Sequence, residues 1–363
     1  MPTDIEFGPN PGKLGREREN GMRAAYFDQH GGPEEIRVGE LASPLPGPTD
    51  AVVQVGAAAL NHLDLHVLRG IPGLSLELPH VGGSDIAGVV AEVGSEVGDW
   101  AQGDRVVVDP GVACGECMTC AADQAPLCRH YSIIGEHRAG GFAERVVVPA
   151  RNLYRLPNDY PFETAAAAPL VFQTAWRALM SRAQLEPGEM VLITGASGGV
   201  STAAIQIARL AGATVLAVTS GADNVARVRE LGADHVIDRT EEEFAAAVRR
   251  ITEKRGVDVV LDSVGEAMWE GCVRSLAAGG RLVTYGGTSG PIVSLDVRRV
   301  FWKQLNIMGS TMGSRSEFRA VMDHVFAGRL TPVVDRVMPL DAAREAYERL
   351  EAGEQFGKIV LVP

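Results

Sequence analysis

From Met190 to Thr284 the chain alternates short apolar runs with amphipathic ones. Met190–Thr194, Thr214–Val218, His235–Ile237, Val257–Leu261 and Arg281–Thr284 have strand length and are largely hydrophobic. Between them, Val200–Leu210, Val225–Leu231, Glu242–Ile251 and Met268–Leu276 space their apolar residues as helices do. A further helical stretch, Phe162–Met180, comes before them. Strand–helix alternation over about 100 residues predicts a parallel sheet wound on both sides, because parallel neighbours need a helical crossover. Strands apolar throughout fit a sheet covered on both faces.

The first of these strands runs into Gly195-Ala-Ser-Gly198-Gly199-Val200-Ser201 and then a helix. Gly195 permits a tight turn, and Gly198 and Gly199 let backbone approach a pyrophosphate. The helix start adds free N–H groups and a positive dipole end. This is the context of a dinucleotide site; the alternative is a purely structural turn. Ser201 stands at the third small position, where glycine is usual. The second strand ends at Val218-Thr219-Ser220-Gly221, with no carboxylate to hold the ribose 2′-hydroxyl of NAD. The expectation is therefore NADPH rather than NADH. Ser220 and Arg239 are candidates for its 2′-phosphate, and a surface role is the alternative for Arg239.

Ahead of this region, Met22–Phe27, Ala51–Val55, Ile86–Val93, Arg105–Val108 and Phe142–Val148 are β-branched runs broken by Gly and Pro. They predict a mostly β domain over 22–154. Residues 1–21 lack periodicity and are expected to form a mobile tail. The end of the chain, with a helix at Asp341–Glu351 and a strand at Lys358–Val362, is expected to return to the β domain as 328–363. That leaves 155–327 for the dinucleotide domain.

Within the β domain, Cys114, Cys117, Cys120 and Cys128 follow the spacing C-x2-C-x2-C-x7-C. Four thiolates suit one tetrahedral zinc and leave no position open for water, so the expected ion holds a loop (110–130) and does no chemistry. Two disulfides are the alternative. With four of five cysteines in this cluster, a reducing, cytoplasmic setting is expected. Cys272 reads as a buried small hydrophobe. The net charge of −12 argues against a general nucleic-acid surface. No apolar stretch has the length to span a bilayer.

The cysteine run, the glycine turn and the motifs Gly103-Asp-Arg-Val106, Gly140-Gly-Phe-Ala-Glu144, Gly232-Ala-Asp234, Ala278-Gly-Gly-Arg281 and Phe356-Gly-Lys358 together resemble the medium-chain dehydrogenase/reductase superfamily. The resemblance covers nearly everything from Met22 to Pro363. It implies a GroES-like β domain plus a Rossmann domain, with the active site in the cleft between them. It implies that His62, Thr174, Gly195, Gly198, Gly199, Val200, Ser220, Arg239 and Lys358 contact the cofactor. Where zinc alcohol dehydrogenases carry a Cys ligand, this chain has Asn61; where they carry the proton-passing hydroxyl, it has Leu63. The Gly-His-Glu of their second loop is Gly83-Ser84-Asp85, and the third ligand aligns near Leu170. Asn, Ser and Leu leave a catalytic zinc almost nothing to bind. His62 and His66, four apart, form a poor alternative site with only Asp85 nearby.

Asn-x-x-Asp and Gly-x-Asp resemble the quinone oxidoreductase and enoyl reductase branch, which is zinc-free at its active site. Without a metal, a conjugated acceptor is the easier substrate, because added charge spreads into an enolate. The expectation is hydride transfer from NADPH to an α,β-unsaturated carbonyl compound or a quinone. Asn61 would donate to the carbonyl oxygen and Asp64 would order the loop; a loop-capping amide is the alternative for Asn61. An NADP-dependent alcohol or aldehyde dehydrogenase is a second reading, and a non-catalytic NADPH-binding protein a third. A small-molecule electrophile is the expected partner. A homo-oligomer, pairing through Asn306–Thr311, is expected by analogy alone.

Overall fold

The computed structural model describes residues 17–363, which form two compact units. The first comprises the chain up to Leu170 with Ser314–Phe326 and Pro332–Pro363; the second is Val171–Gly313 with Ala327–Thr331. The tail expected over 1–21 lies outside the described residues as far as residue 16. Glu17–Gly21 belong to the strand Glu17–Tyr26, which pairs antiparallel with Arg37–Pro44.

The first unit is built on a seven-stranded sheet in the order Val334–Pro339, Lys358–Val362, Asp50–Ala59, Asp85–Val93, Arg105–Val108, Leu153–Arg155, with Arg145–Pro149 also pairing on Asp50–Ala59. The last strand of the chain thus lies parallel to Val334–Pro339 and antiparallel to Asp50–Ala59. Its core gathers Val53, Leu65, Ile86, Val106, Tyr347 and Leu361 from these strands and from the helices His62–Arg69 and Ala343–Glu351, with Phe142 from the loop before Arg145–Pro149.

The second unit is a six-stranded sheet, parallel throughout, in the order His235–Asp238, Thr214–Thr219, Met190–Ile193, Val257–Asp262, Leu276–Thr284, Asn306–Gly309. Numbered along the chain this is 3-2-1-4-5-6, the order whose switch point lies beside its first strand.

Two boundaries differ from those expected. The division falls at Leu170, not after Tyr154, because the helix Phe162–Ala166 packs on Asp50–Ala59 and Asp85–Val93. The helix Arg315–Phe326 also joins the first unit: Tyr154 meets Phe318 edge-on and stacks on Phe326. The helical stretch Phe162–Met180 is three pieces, Phe162–Ala166, Pro169–Trp176 and a π-helical Arg177–Arg182. Pro169 has no N–H for the ladder and disfavours a helical Ala168, which breaks the first piece from the second.

Backbone meets backbone where Gly83 (φ +95°), Gly135 (φ +84°) and Gly140 come together. The Gly140 amide donates to the Val81 carbonyl at 2.8 Å, and that of Gly141 to Gly83 at 2.8 Å. A Cβ on Gly140 would lie 2.3 Å from the Gly83 oxygen. Gly140→Ala is expected to cost about 1–3 kcal/mol and to lower Tm by calorimetry. Gly98→Ala, whose Cβ meets nothing within 4 Å, is the control and leaves Tm unchanged.

Candidate active site and zinc lobe

In the second unit the glycine turn follows the central strand Met190–Ile193. Gly195 takes φ +55°, and the Gly198 amide donates to its carbonyl at 2.9 Å. The helix Gly199–Leu210 starts there, with Thr202 N–H bonded to Gly198. The amides of Gly199, Val200 and Ser201 precede that bond and have no partner within the helix. Ser201 turns its hydroxyl back onto the strand, donating to the Thr194 carbonyl at 2.9 Å, which is how the third small position tolerates an oxygen. Below the turn, the fully buried Asp262 accepts from the Thr194 hydroxyl at 2.6 Å and from the Gly265 amide at 2.9 Å.

Parallel pairing brings the ends of Thr214–Thr219 and His235–Asp238 side by side. Arg239 Nε therefore donates to Ser220 Oγ at 3.0 Å. Asp238 supplies a carboxylate close by, but it accepts from Gly221 N (3.0 Å), Thr240 N (2.9 Å) and Thr240 Oγ1 (2.7 Å). The Thr240 bonds chiefly hold its pKa below the usual carboxylate range. Thr174 and Thr219 keep buried hydroxyls with no protein partner. Amides without helical partners, small residues at the turn, orphaned hydroxyls and an Arg–Ser pair fit a dinucleotide.

In the first unit the four cysteine sulfurs lie within 4.8 Å of one another. Cys114–Cys120, Cys117–Cys120, Cys117–Cys128 and Cys114–Cys128 stand at 3.8, 3.5, 3.7 and 3.5 Å. A zinc tetrahedron with bonds of about 2.3 Å has edges of about 3.8 Å. The donor set fits zinc, and all five cysteines are free thiols, so the disulfide alternative falls. Two tethers run from this lobe to one point. Asp123, three residues past Cys120, accepts from Ser314 Oγ at 2.8 Å and from Ser316 Oγ. Arg151 donates to the carbonyls of Cys114 and Ala113, and its own carbonyl accepts from Arg315. Ser314–Ser316 is where the chain enters the first unit and begins the helix Arg315–Phe326.

Elsewhere in the first unit, Asn61 caps the helix His62–Arg69. Asp64 accepts from Asn61 N at 2.7 Å and Gly83 N at 2.9 Å, tying the helix start to the Gly83-Ser84-Asp85 loop. The Asn61 side chain does not stand free to meet a carbonyl, as expected above. Its amide nitrogen donates to Asp85 Oδ2 at 3.0 Å and its oxygen accepts from Lys358 Nζ. Lys358 pairs with Asp85 Oδ2 at 2.8 Å, and the other Asp85 oxygen accepts from Leu170 N at 2.7 Å. Lys358 and Asp85 are 3% and 0% exposed, so this is a buried ion pair. Lys358, placed in the cofactor set by resemblance, is committed here to Asn61 and Asp85. Burial, then the charges of His66, Lys358 and Arg69, lower His62 to a pKa of about 4. Among the described residues the cysteine cluster is the one grouping of three or more His, Cys, Asp or Glu able to hold a metal, so His62 and His66 make no such site.

Two family models match: an alcohol dehydrogenase GroES-like domain over residues 47–158 and a zinc-binding dehydrogenase domain over 199–327. An NAD-dependent alcohol dehydrogenase of Saccharolobus solfataricus is 32% identical over 354 residues, covering 94% of this chain and all of that one. The chain belongs to the medium-chain dehydrogenase/reductase superfamily of zinc-type alcohol dehydrogenases. A crystal structure of an NAD-dependent alcohol dehydrogenase is 44% identical, with a TM-score of 0.90 over 94% of this chain and 100% of the other. An acryloyl-coenzyme A reductase of Sulfurisphaera tokodaii is 28% identical over 92% of this chain and 98% of that protein. This superfamily member is thus an NAD(P)H oxidoreductase with a GroES-like and a Rossmann-type unit.

Sequence reasoning missed Glu136, which the Gly83–Gly135 contact brings into the electrostatic reach of Asp64. Its place, just before Gly140-Gly-Phe-Ala, was the only signal. Burial, then the Asp64 charge, pushes Glu136 up to about 7. Burial likewise lifts Asp64 to about 6, against the pull of the Asn61 and Gly83 amides.

Acids raised in the folded state stabilise it below their unfolded pKa, and that stability is lost as pH rises through the folded value. Glu136→Gln, neutral at all pH, is expected to melt with the wild type near pH 4 and above it at pH 8. The gain is no more than about 3 kcal/mol and is read by calorimetry across pH. For the lobe, Asp123→Ala is expected to speed hydrogen exchange of the amides at 314–318 while zinc content holds. Chelating the zinc from wild type is expected to do the same; unchanged exchange in both would show that the tethers carry no order.

Proposed function

We propose that this oxidoreductase uses NADPH to reduce the C=C bond of an α,β-unsaturated carbonyl compound, or a quinone, without a catalytic zinc. The observation that carries this reading is the Lys358–Asp85–Asn61 cluster. By the family resemblance, Asn61, Ser84 and Leu170 stand where a catalytic zinc would find its ligands. Asn61 and Asp85 instead hold an ammonium. One unit of charge suits an acceptor that delocalises what it receives better than an isolated ketone, whose alkoxide needs a stronger Lewis acid. The acryloyl-coenzyme A reductase relative supports the same direction.

The Ser220–Arg239 pair and the lack of a carboxylate ending the second strand support NADPH over NADH. When bound, NADPH supplies the hydride. Gly198–Ser201 would hold its pyrophosphate on the helix start. Asp64 and Asp85 keep the two loops in register for the substrate carbonyl. One structural zinc sits in the four-cysteine lobe. Free thiols support a reducing, cytoplasmic setting, and no described helix is long and apolar enough to cross a membrane. The outer edge of Asn306–Gly309 is unpaired within the sheet, which supports a homo-oligomer.

A second reading, NAD-dependent alcohol oxidation, is favoured by the names of the 32% and 44% identical relatives. Elemental analysis of protein purified without chelators, with turnover assays on the same preparation, separates the two. The expected result is one zinc per chain, NADPH consumed with an enone or quinone, and little reduction of NAD+ by alcohols. Two zincs per chain with rapid alcohol oxidation would replace the first reading by the second.

A further inference from the structure

We propose that the Lys358 ammonium, and not the Asn61 amide, binds the substrate's carbonyl oxygen and stabilises the negative charge that develops on it. This rests on the reductase reading above and names the group that does its electrostatic work.

The argument is one of valence. Asn61 Oδ1 accepts from Lys358, which fixes the amide's orientation. Its nitrogen then points to Asp85 Oδ2 at 3.0 Å, with the Ala59 carbonyl 3.5 Å away. Both amide hydrogens face protein acceptors. An ammonium has three hydrogens. Lys358 directs one at Asn61 Oδ1 and one at Asp85 Oδ2, which leaves the third for a ligand. Asp85 is itself held by Leu170 N, so the ammonium rests on acceptors that cannot swing away. His62, next to it in the electrostatics, is kept neutral and does not compete as a cation.

A charge fixed in a buried setting acts more strongly on a developing oxyanion than one in water, and it needs no reorganisation. In the step assigned to it, bound NADPH would supply hydride to the β-carbon. The C=C pair moves to form the enolate, and the C=O pair settles on the oxygen facing Lys358. Lys358 keeps its proton. Water would then protonate the α-carbon and leave as hydroxide, giving the saturated carbonyl, with the cofactor oxidised to NADP+.

Asn61 becomes a positioning residue: it aims the ammonium. Ser84, beside Asp85 in the same loop, is fully buried with an unpartnered hydroxyl and offers a neutral donor, not a charge.

The test is Lys358→Met. Its kcat/KM for an enone is expected to fall about 100- to 1,000-fold, the cost of losing one oxyanion donor. Its Kd for NADPH, read by fluorescence, should move less than threefold. A weakened Kd with kcat retained would mean a cofactor contact and overturn the proposal. Lys358→Met leaves Asp85 buried without its counter-ion, so Lys358→Met/Asp85→Asn serves as the folded control and must lose the same activity. Asn61→Ala should lose activity by a smaller factor; a loss as large as that of Lys358→Met would return the donor role to Asn61. If wild type oxidises alcohols with NAD+ and reduces no enone, the reductase reading fails. Lys358 is then judged on that reaction, where loss in Lys358→Met upholds the assignment and retention ends it. Wild type that turns over neither substrate overturns both.

Discussion

A buried ion pair, Lys358 with Asp85, joins the last strand of the chain to the start of Asp85–Val93. Removing two charges from water is costly, and their attraction offsets that cost only when the remaining lone pairs and hydrogens are also matched. On the carboxylate side they are matched: Asp85 takes Leu170 N on one oxygen and both Asn61 and Lys358 on the other, while the ammonium keeps one hydrogen over. Burial makes Asp64 and Glu136 hold their protons to higher pH than they would in water; Lys358 opposes this at Asp64, and the Asp64 charge adds to it at Glu136.

The geometry of that cluster depends on residues that do no chemistry. Gly83, Gly135 and Gly140 let three loop segments touch through backbone alone, and any side chain there would separate Asp64 from the loop it ties down. Lys358 arrives because Lys358–Val362 pairs with Val334–Pro339 and Asp50–Ala59, so a residue 297 positions away in sequence reaches Asn61. The zinc lobe plays a comparable part at the other entry to the first unit. Its tethers to Ser314–Ser316 link the four-cysteine cluster to the helix Arg315–Phe326.

Much of this was legible from residues alone. The strands Arg105–Val108 and Lys358–Val362 fall where their apolar runs place them, and the doubly wound sheet follows from the strand–helix alternation. The helix Arg315–Phe326 and the strand Val334–Pro339 did not announce themselves. The first owes its place to the aromatic contacts of Tyr154, the second to pairing with the end of the chain, and neither reason is local. The fragmented helix at Phe162–Met180 shows a local rule, Pro169, outweighing a favourable apolar pattern.

The four-thiol cluster and the glycine turn were fixed by the residues alone, because each is a matter of which groups exist at which spacing. Four thiols within fifteen residues gather close enough to suit one ion. Tertiary structure alone decided how the polar side chains are spent. Asn61 looked like a free donor until Lys358 and Asp85, far off in the chain, took both ends of its amide. Asp238 supplied a carboxylate near the cofactor turn that the second strand lacked, and then committed it to Gly221 and Thr240. Hydrogen-bond capacity is finite, and only the fold states which partners use it up.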